Sequence, residues 1–364
     1  MAIALSHGGT TIYSSPSPSD ELLVGTTEGV VILRRPSPEG RQGSGWEVVH
    51  RSLPGTHVSS IITPPEGGLI FAGGFHGGIH ASDDGGRTWE RRDEGLTQED
   101  VFSLAWVRTN GNIHLYAGTE PAHLFFSDDL GFRWTELPEL RSVPSAPKWN
   151  FPAPPHVGHV KHITFLPGDP ATIFAGIEQG GLLKSTDAGQ TWREVHGVDE
   201  DIHRVMIHPF DTQRIYTVTG AGTYVTSDGG ATWEHWLDRE HEVGGYPDQL
   251  VFHPRNPDLM FLSAAHHNPG TWGESHFAGS RISRSMDGGK TWQVLRNGLP
   301  DRLQSSIEAM CLEESGDSAA VFAATTAGEV YCTEDAGEHW LLIVQGLAPV
   351  SKGGHFRPLV QTPA

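Results

Sequence analysis

Apolar residues recur along this chain in short β-type runs, each closed by glycine, proline or a polar turn. One unit joins an apolar strand, a proline turn and a second strand that ends near glycine: "ITFLPGDPATIFAG" places Pro167 nine residues before Gly176. "IITPPEGGLIFAG" keeps that spacing with Pro64 and Gly73, and "IYSSPSPSDELLVG" keeps it with Pro16 and Gly25. Next comes a β-type stretch such as "GGIHAS", the phrase "SDDGGRTWE" and a further short strand, the signature of a hairpin. Four short strands per unit are expected. Trp46, Trp89, Trp134, Trp192, Trp233, Trp292 and Trp340 mark seven such units, at the period of roughly 40 to 60 residues found in propeller blades. The pattern predicts an all-β chain, a single seven-bladed β-propeller of four-stranded antiparallel blades. The blades fall at about 10–50, 57–92, 101–137, 160–195, 202–236, 248–295 and 306–343, with 344–364 as a C-terminal tail. "TTIYSSPS" reads as the inner strand of the first blade, and either "AIALS" or "GGHFRPLV" closes the ring.

The recurring phrase is Ser/Thr-x-Asp-x-Gly-x-x-Trp, with its aspartates at Asp84, Asp129, Asp187, Asp228, Asp287 and Asp335. Asp bonds the backbone of its own turn, Gly supplies positive φ, and Trp plugs the turn into an apolar layer. These turns therefore read as structural. They resemble the Asp-box, or bacterial neuraminidase repeat, of sialidases, xyloglucan-degrading glycosidases, photosystem II assembly factors and sortilin-type receptors. That resemblance implies a propeller scaffold and no particular reaction, because those proteins share a fold and not a chemistry.

Composition narrows the partners. A formal charge of -19 disfavours nucleic acid and anionic membrane surfaces. "MAIALSHGGTTIY" lacks the basic start of a signal peptide, and no apolar run approaches a membrane span. With two cysteines, Cys311 and Cys332, a cytoplasmic location is expected and both thiols should be free. Oligomeric state is left open.

Strand direction sorts the loops onto two faces. The Asp and Pro turns lie on a lower face, whereas the long insertions 137–159 and 264–279 lie on an upper one, where binding sites gather. Many of the 21 histidines fall on that upper face. His208 and His253, before Pro in "MIHPFD" and "VFHPRN", read instead as lower-face structural residues. Imidazoles converging from several blades suit a divalent transition metal, Zn, Mn, Fe, Ni or Cu. The expected ligands are His76, His162, His203 and His267, with His159 and His266 in reserve. Glu178, Asp201 and Arg204 are the catalytic candidates, and Lys148, Trp149, Asn150, Tyr246, Trp272 and Arg281 the substrate-binding ones.

Three functions follow. The first is a metal-dependent lyase or hydrolase acting on a small or medium polar substrate; no nucleotide cofactor is expected, since no glycine-rich phosphate loop is visible. The second is a sialidase- or xyloglucanase-like glycoside hydrolase on an oligosaccharide. Against it, "LRRPSP" and "HFRPLV" lack the Arg-Ile-Pro-like segment, although Tyr246 and the loose arginines Arg141, Arg239, Arg281 and Arg302 are available. The third is a non-catalytic scaffold that binds protein, as photosystem assembly factors do.

Overall fold

The structure is a computed structural model describing residues 3–35, 45–65, 68–316, 318–351 and 353–359. The expected parts of blade 1 at 36–44 and of the tail at 360–364 lie outside the described residues. Seven sheets form the described chain, each containing four strands in chain order from the axis outwards. The inner strands of blades 2 to 7 are His57–Ile62, Asp100–Thr109, His159–Leu166, Ile202–Ile207, Tyr246–Phe252 and Ile307–Ser315. Among the described residues, no helix is long and apolar enough to cross a membrane.

Apolar layers alternate with the blades. Phe71 and Ile79 of blade 2 pack on Val101 and Leu115 of blade 3. Phe174 and Leu182 of blade 4 meet Val205 and Ile215 of blade 5 in the same way. The last layer joins Cys311 and Phe322 of blade 7 to Leu22 and Val31 of blade 1. Each such fully buried side chain contributes roughly 1.5–3 kcal/mol, so the layers hold the ring. The nine-residue proline-to-glycine spacing has a packing cause here. A Cβ on Gly176 would lie 2.5 Å from Ile202 of the next blade, so only glycine lets the inner ends of two blades meet.

The start of the chain corrects the expected first blade. Its inner strand is Ile3–Leu5, which runs parallel to Glu21–Thr26. Ile12–Ser15 instead adds a fifth strand to blade 7, parallel to Leu312–Ser315. Residues 3–5 of the "AIALS" segment therefore enter blade 1, and the next strand closes the ring. The physical reason lies in "HGG". Between the two strands the chain crosses the propeller interior, bonding Gly8 N–H to Ser59 O and Leu104 N–H to Gly8 O. A Cβ would stand 2.1 Å from Phe102 O at Gly8 and 1.9 Å from Ile61 O at Gly9. Glu313 then pins the crossing from blade 7, accepting from Ser15 Oγ and from Ser19 N and Oγ.

The lower-face turns are built as the sequence predicts. Ser285 Oγ and the backbone and hydroxyl of Thr291 all donate to the Asp287 carboxylate, while Trp292 Nε1 donates to Gly289 O. In the last blade His339 supplies through Nδ1 the bond that Thr makes in four other blades. His208 and His253 accept backbone N–H groups of the turns that follow them. Cys311 and Cys332 are free and buried, on strands either side of Phe322.

These bonds carry a pH signature. Donation from the Thr291 hydroxyl and N–H lowers the Asp287 carboxyl from 3.8 to about 2. A depressed folded-state value contributes stability above the unfolded value, lost as pH falls through the folded one. Asp287→Asn should therefore lower the melting temperature at pH 7, and the gap to the parent should shrink between pH 4 and pH 2. Parallel melting curves across that range check it.

Candidate functional site

One irregularity repeats around the ring and builds the site. The pairing of the first strand with the second slips by one residue between Val58 and Ser60, Val101 and Ser103, and Val160 and His162. It slips again between Ile202 and Arg204, Pro247 and Gln249, and Ile307 and Ala309. Each slip is a β-bulge, which leaves one residue unpaired and re-aims its side chain. The residues so released in blades 2 to 7 are Ser59, Phe102, Lys161, His203, Asp248 and Glu308. Lys161 and Asp248 turn towards the axis, where Lys161 Nζ donates to Asp248 Oδ1 at 3.1 Å although blade 5 lies between them.

Around these bulges sits a buried polar network. Lys161 Nζ also donates to Glu178 Oε1 at 3.2 Å. His159 spans Glu178 Oε2 at 2.5 Å and Glu120 Oε2 at 3.2 Å, under the ring of Phe102. His7, from the crossing segment, places Nε2 3.3 Å from Asp248 Oδ2. Gln249 Nε2 donates both to Asp248 Oδ2 and to Glu308 O. Lys161 thus stands between the carboxylates of Glu178 and Asp248, while Glu120 is met by His159.

Glu178, Asp201 and His203 form the tightest group, each offering one ligand atom within 4.8 Å of the others. His203 Nδ1 lies 2.6 Å from Pro247 O. A carbonyl can only accept, so Nδ1 carries the hydrogen and Nε2 points at the acids. It stands 3.4 Å from Asp201 Oδ1 and 3.9 Å from Glu178 Oε1. Both His203 Nε2 and Asp201 Oδ1 are buried without a hydrogen-bond partner. Burial pushes the Asp201 carboxyl up, but the charge and ring of His203 outweigh it and hold the value below normal. Tyr246 lies across the His203 ring at 4.7 Å, and burial, then Asp201 and Glu178, push its phenol well above the ordinary range.

The other expected site residues are dispersed. His162 accepts from Val205 N–H, and its second ring nitrogen lies 3.2 Å from Arg204 Nη1. Burial, then Arg204, lowers its pKa well below normal, so this ring is held neutral away from the acids. Arg204 Nη2 donates to His7 O, anchoring the crossing segment. His76 is exposed on blade 2, bonded to Asp100. Lys148 and Asn150 are exposed on the long insertion, and Trp149 packs against the Gly180 turn.

Arg281, His266 and His267 line a separate groove of about 600 Å³ over blades 5 to 7, whose inner wall is Tyr246. Trp272 is buried beneath that groove and donates to His267 O. Sequence reasoning passed over Lys161, His7, Glu120 and Asp248. The available signal was the bulge, recognisable only by aligning inner strands on the position that breaks their alternation.

Removing Lys161 strips the ammonium from two buried carboxylates, a loss of about 3–5 kcal/mol for a broken buried pair. Lys161→Met should therefore destabilise the protein by that amount in urea unfolding, while Lys148→Met on the exposed insertion should not.

Comparison with known proteins places the chain among propellers. The family model described as sortilin, neurotensin receptor 3, matches residues 180–298. The vacuolar protein sorting/targeting protein 10 of Fusarium vanettenii is 24% identical over 169 residues, 46% of this chain and 10% of that protein. A xyloglucanase of Acetivibrio thermocellus is 25% identical over 282 residues, 65% of this chain and 32% of its own length. The chain thus spans at most a third of the length of these relatives. Among solved structures, the xyloglucanase of Xanthomonas campestris overlays with a TM-score of 0.59 at 17% identity, covering 78% of this chain and 45% of its own. YCF48 bound to D1 peptide overlays at 0.57 and 15% identity, covering 92% of both chains. These overlays support the propeller fold.

Proposed function

We propose that the protein is a metal-dependent lyase or hydrolase, with a divalent transition metal held by Glu178, Asp201 and His203 and a polar substrate entering from the upper face. One observation carries the reading. With Nδ1 committed to Pro247 O, Nε2 of His203 faces two carboxylate oxygens; a proton there holds the Asp201 carboxyl low, and once that proton is lost the Nε2 lone pair faces them instead. Three acceptors pointing at one another repel unless a proton or a cation lies between them. A backbone carbonyl holding the far nitrogen is also the usual support of a metal-ligating histidine.

A metal bound there would polarise a substrate oxygen or acidify a water. This chain's own residues prepare the rest. Lys161 fixes Glu178, the Tyr246 ring packs on His203 and lines the groove, and the partly exposed Asp201 is the group a ligand reaches first.

A second reading, a xyloglucanase-like glycosidase, draws on the partial identity to such an enzyme. Glycosidase carboxylates stand about 5–5.5 Å apart in retaining enzymes and about 6.5–9.5 Å in inverting ones. Asp201 and Glu178 offer oxygens within 4.8 Å, and Glu178 is fully enclosed. The full enclosure of Glu178 suits a bound cation better than a sugar ring.

Metal analysis of the protein purified without a histidine tag tests the proposal. One divalent ion per chain is expected, lost in His203→Ala and Asp201→Asn and retained in His76→Ala and His267→Ala. No metal in the parent, or equal metal in the His203 variant, overturns the proposal and favours a protein-binding scaffold whose axis is neutralised by protonated imidazoles.

A further inference from the structure

The groove over blades 5 to 7 has a chemistry of its own. Arg239, Arg281, Arg296 and Arg302 line it together with His266 and His267. This concentration of positive charge stands on a chain whose formal charge is -19. Two of the guanidiniums are anchored by backbone carbonyls, which orient them without cancelling their charge. Arg239 Nε donates to Gly220 O at 3.1 Å, and Arg281 Nη1 to Glu242 O at 2.6 Å. Arg296 pairs with Asp301. The Nε of Arg281 is buried without a hydrogen-bond partner. Arg281 and Arg302 both line the groove, and burial, then the like charge of Arg302, depresses the Arg281 guanidinium.

The rest of the lining is mixed. Glu240, Glu242 and Asn268 offer hydroxyl-binding atoms, and the two carboxylates in the wall disfavour a densely charged polyanion. A volume of about 600 Å³ lies within the usual range of small-molecule sites, about 300–1,000 Å³. Guanidinium forks match planar carboxylates in a bidentate way.

We infer that this groove recognises a hydroxyl-rich ligand bearing a carboxylate, of the size of an acidic disaccharide, with Arg281 and Arg302 holding the carboxylate. The inference deepens the proposed function, on which it rests for the route past Tyr246 to Asp201, by naming the substrate class.

Calorimetric titration of digalacturonate, galactobiose and inorganic phosphate into the full chain, in excess chelator, tests it without the metal. Digalacturonate should bind at least about tenfold more tightly than either other probe, the share expected of one charge-assisted pair. Arg302→Gln should weaken it roughly ten- to hundredfold, and Arg302→Lys should recover part of the loss. Metal content, measured separately, should match the parent in both variants, and melting curves report folding. Equal binding of galactobiose, equal binding of phosphate, no binding of digalacturonate, or an unchanged Arg302→Gln variant overturns the groove assignment. None of those results alters the metal content of the parent, so the two proposals fail separately.

Discussion

A single extra residue in each of six inner strands organises the interior of this protein. Strand geometry alternates side chains between the two faces of a blade, and in a propeller both faces are taken up by packing against neighbours. Without a break in that alternation, little would point along the axis. The bulges supply the break at the same place in blades 2 to 7 and send Ser59, Phe102, Lys161, His203, Asp248 and Glu308 inwards. Regular packing and a polar centre then coexist, because the residue that leaves the ladder costs no apolar layer its contacts.

Closure serves the same centre. The N-terminal segment does more than tie blade 7 to blade 1. Through "HGG" it crosses the interior at positions where no side chain beyond hydrogen fits, and on the way it delivers His7 to Asp248 and a carbonyl to Arg204. Fold stability and site composition are coupled: loosening the closing strand would also remove an imidazole from the acids. Burying so many charges is tolerable only while each keeps a partner, which explains why the network reaches across several blades.

Legibility in the sequence followed the range of each interaction. The Asp turns, the tryptophans and the proline-to-glycine spacing are local, and they disclosed seven blades and the structural roles of His208 and His253. Glu178, Asp201 and His203 were within reach because strand ends and entry links can be placed by counting. The crossing of residues 6–11 was not, since a parallel closing strand pairs residues some 300 positions apart, and "IYSSPSPSDELLVG" imitates a hairpin. Lys161 and Asp248 were missed for a related reason: a period of two assigns them to blade faces, and a bulge announces itself only through pairing. The arginines of the groove were visible singly, and their convergence depends on how three loops fold over blades 5 to 7.

The central claim is that the axis is built to hold a cation between His203 and the acids. Anomalous diffraction from crystals of the untagged protein, recorded on either side of a transition-metal absorption edge, tests it most directly. The account predicts one peak at about 2.0–2.4 Å from His203 Nε2, with oxygens of Asp201 and Glu178 in the same shell. A map with no peak there, and His203 Nε2 donating a hydrogen bond straight to Asp201, would contradict it.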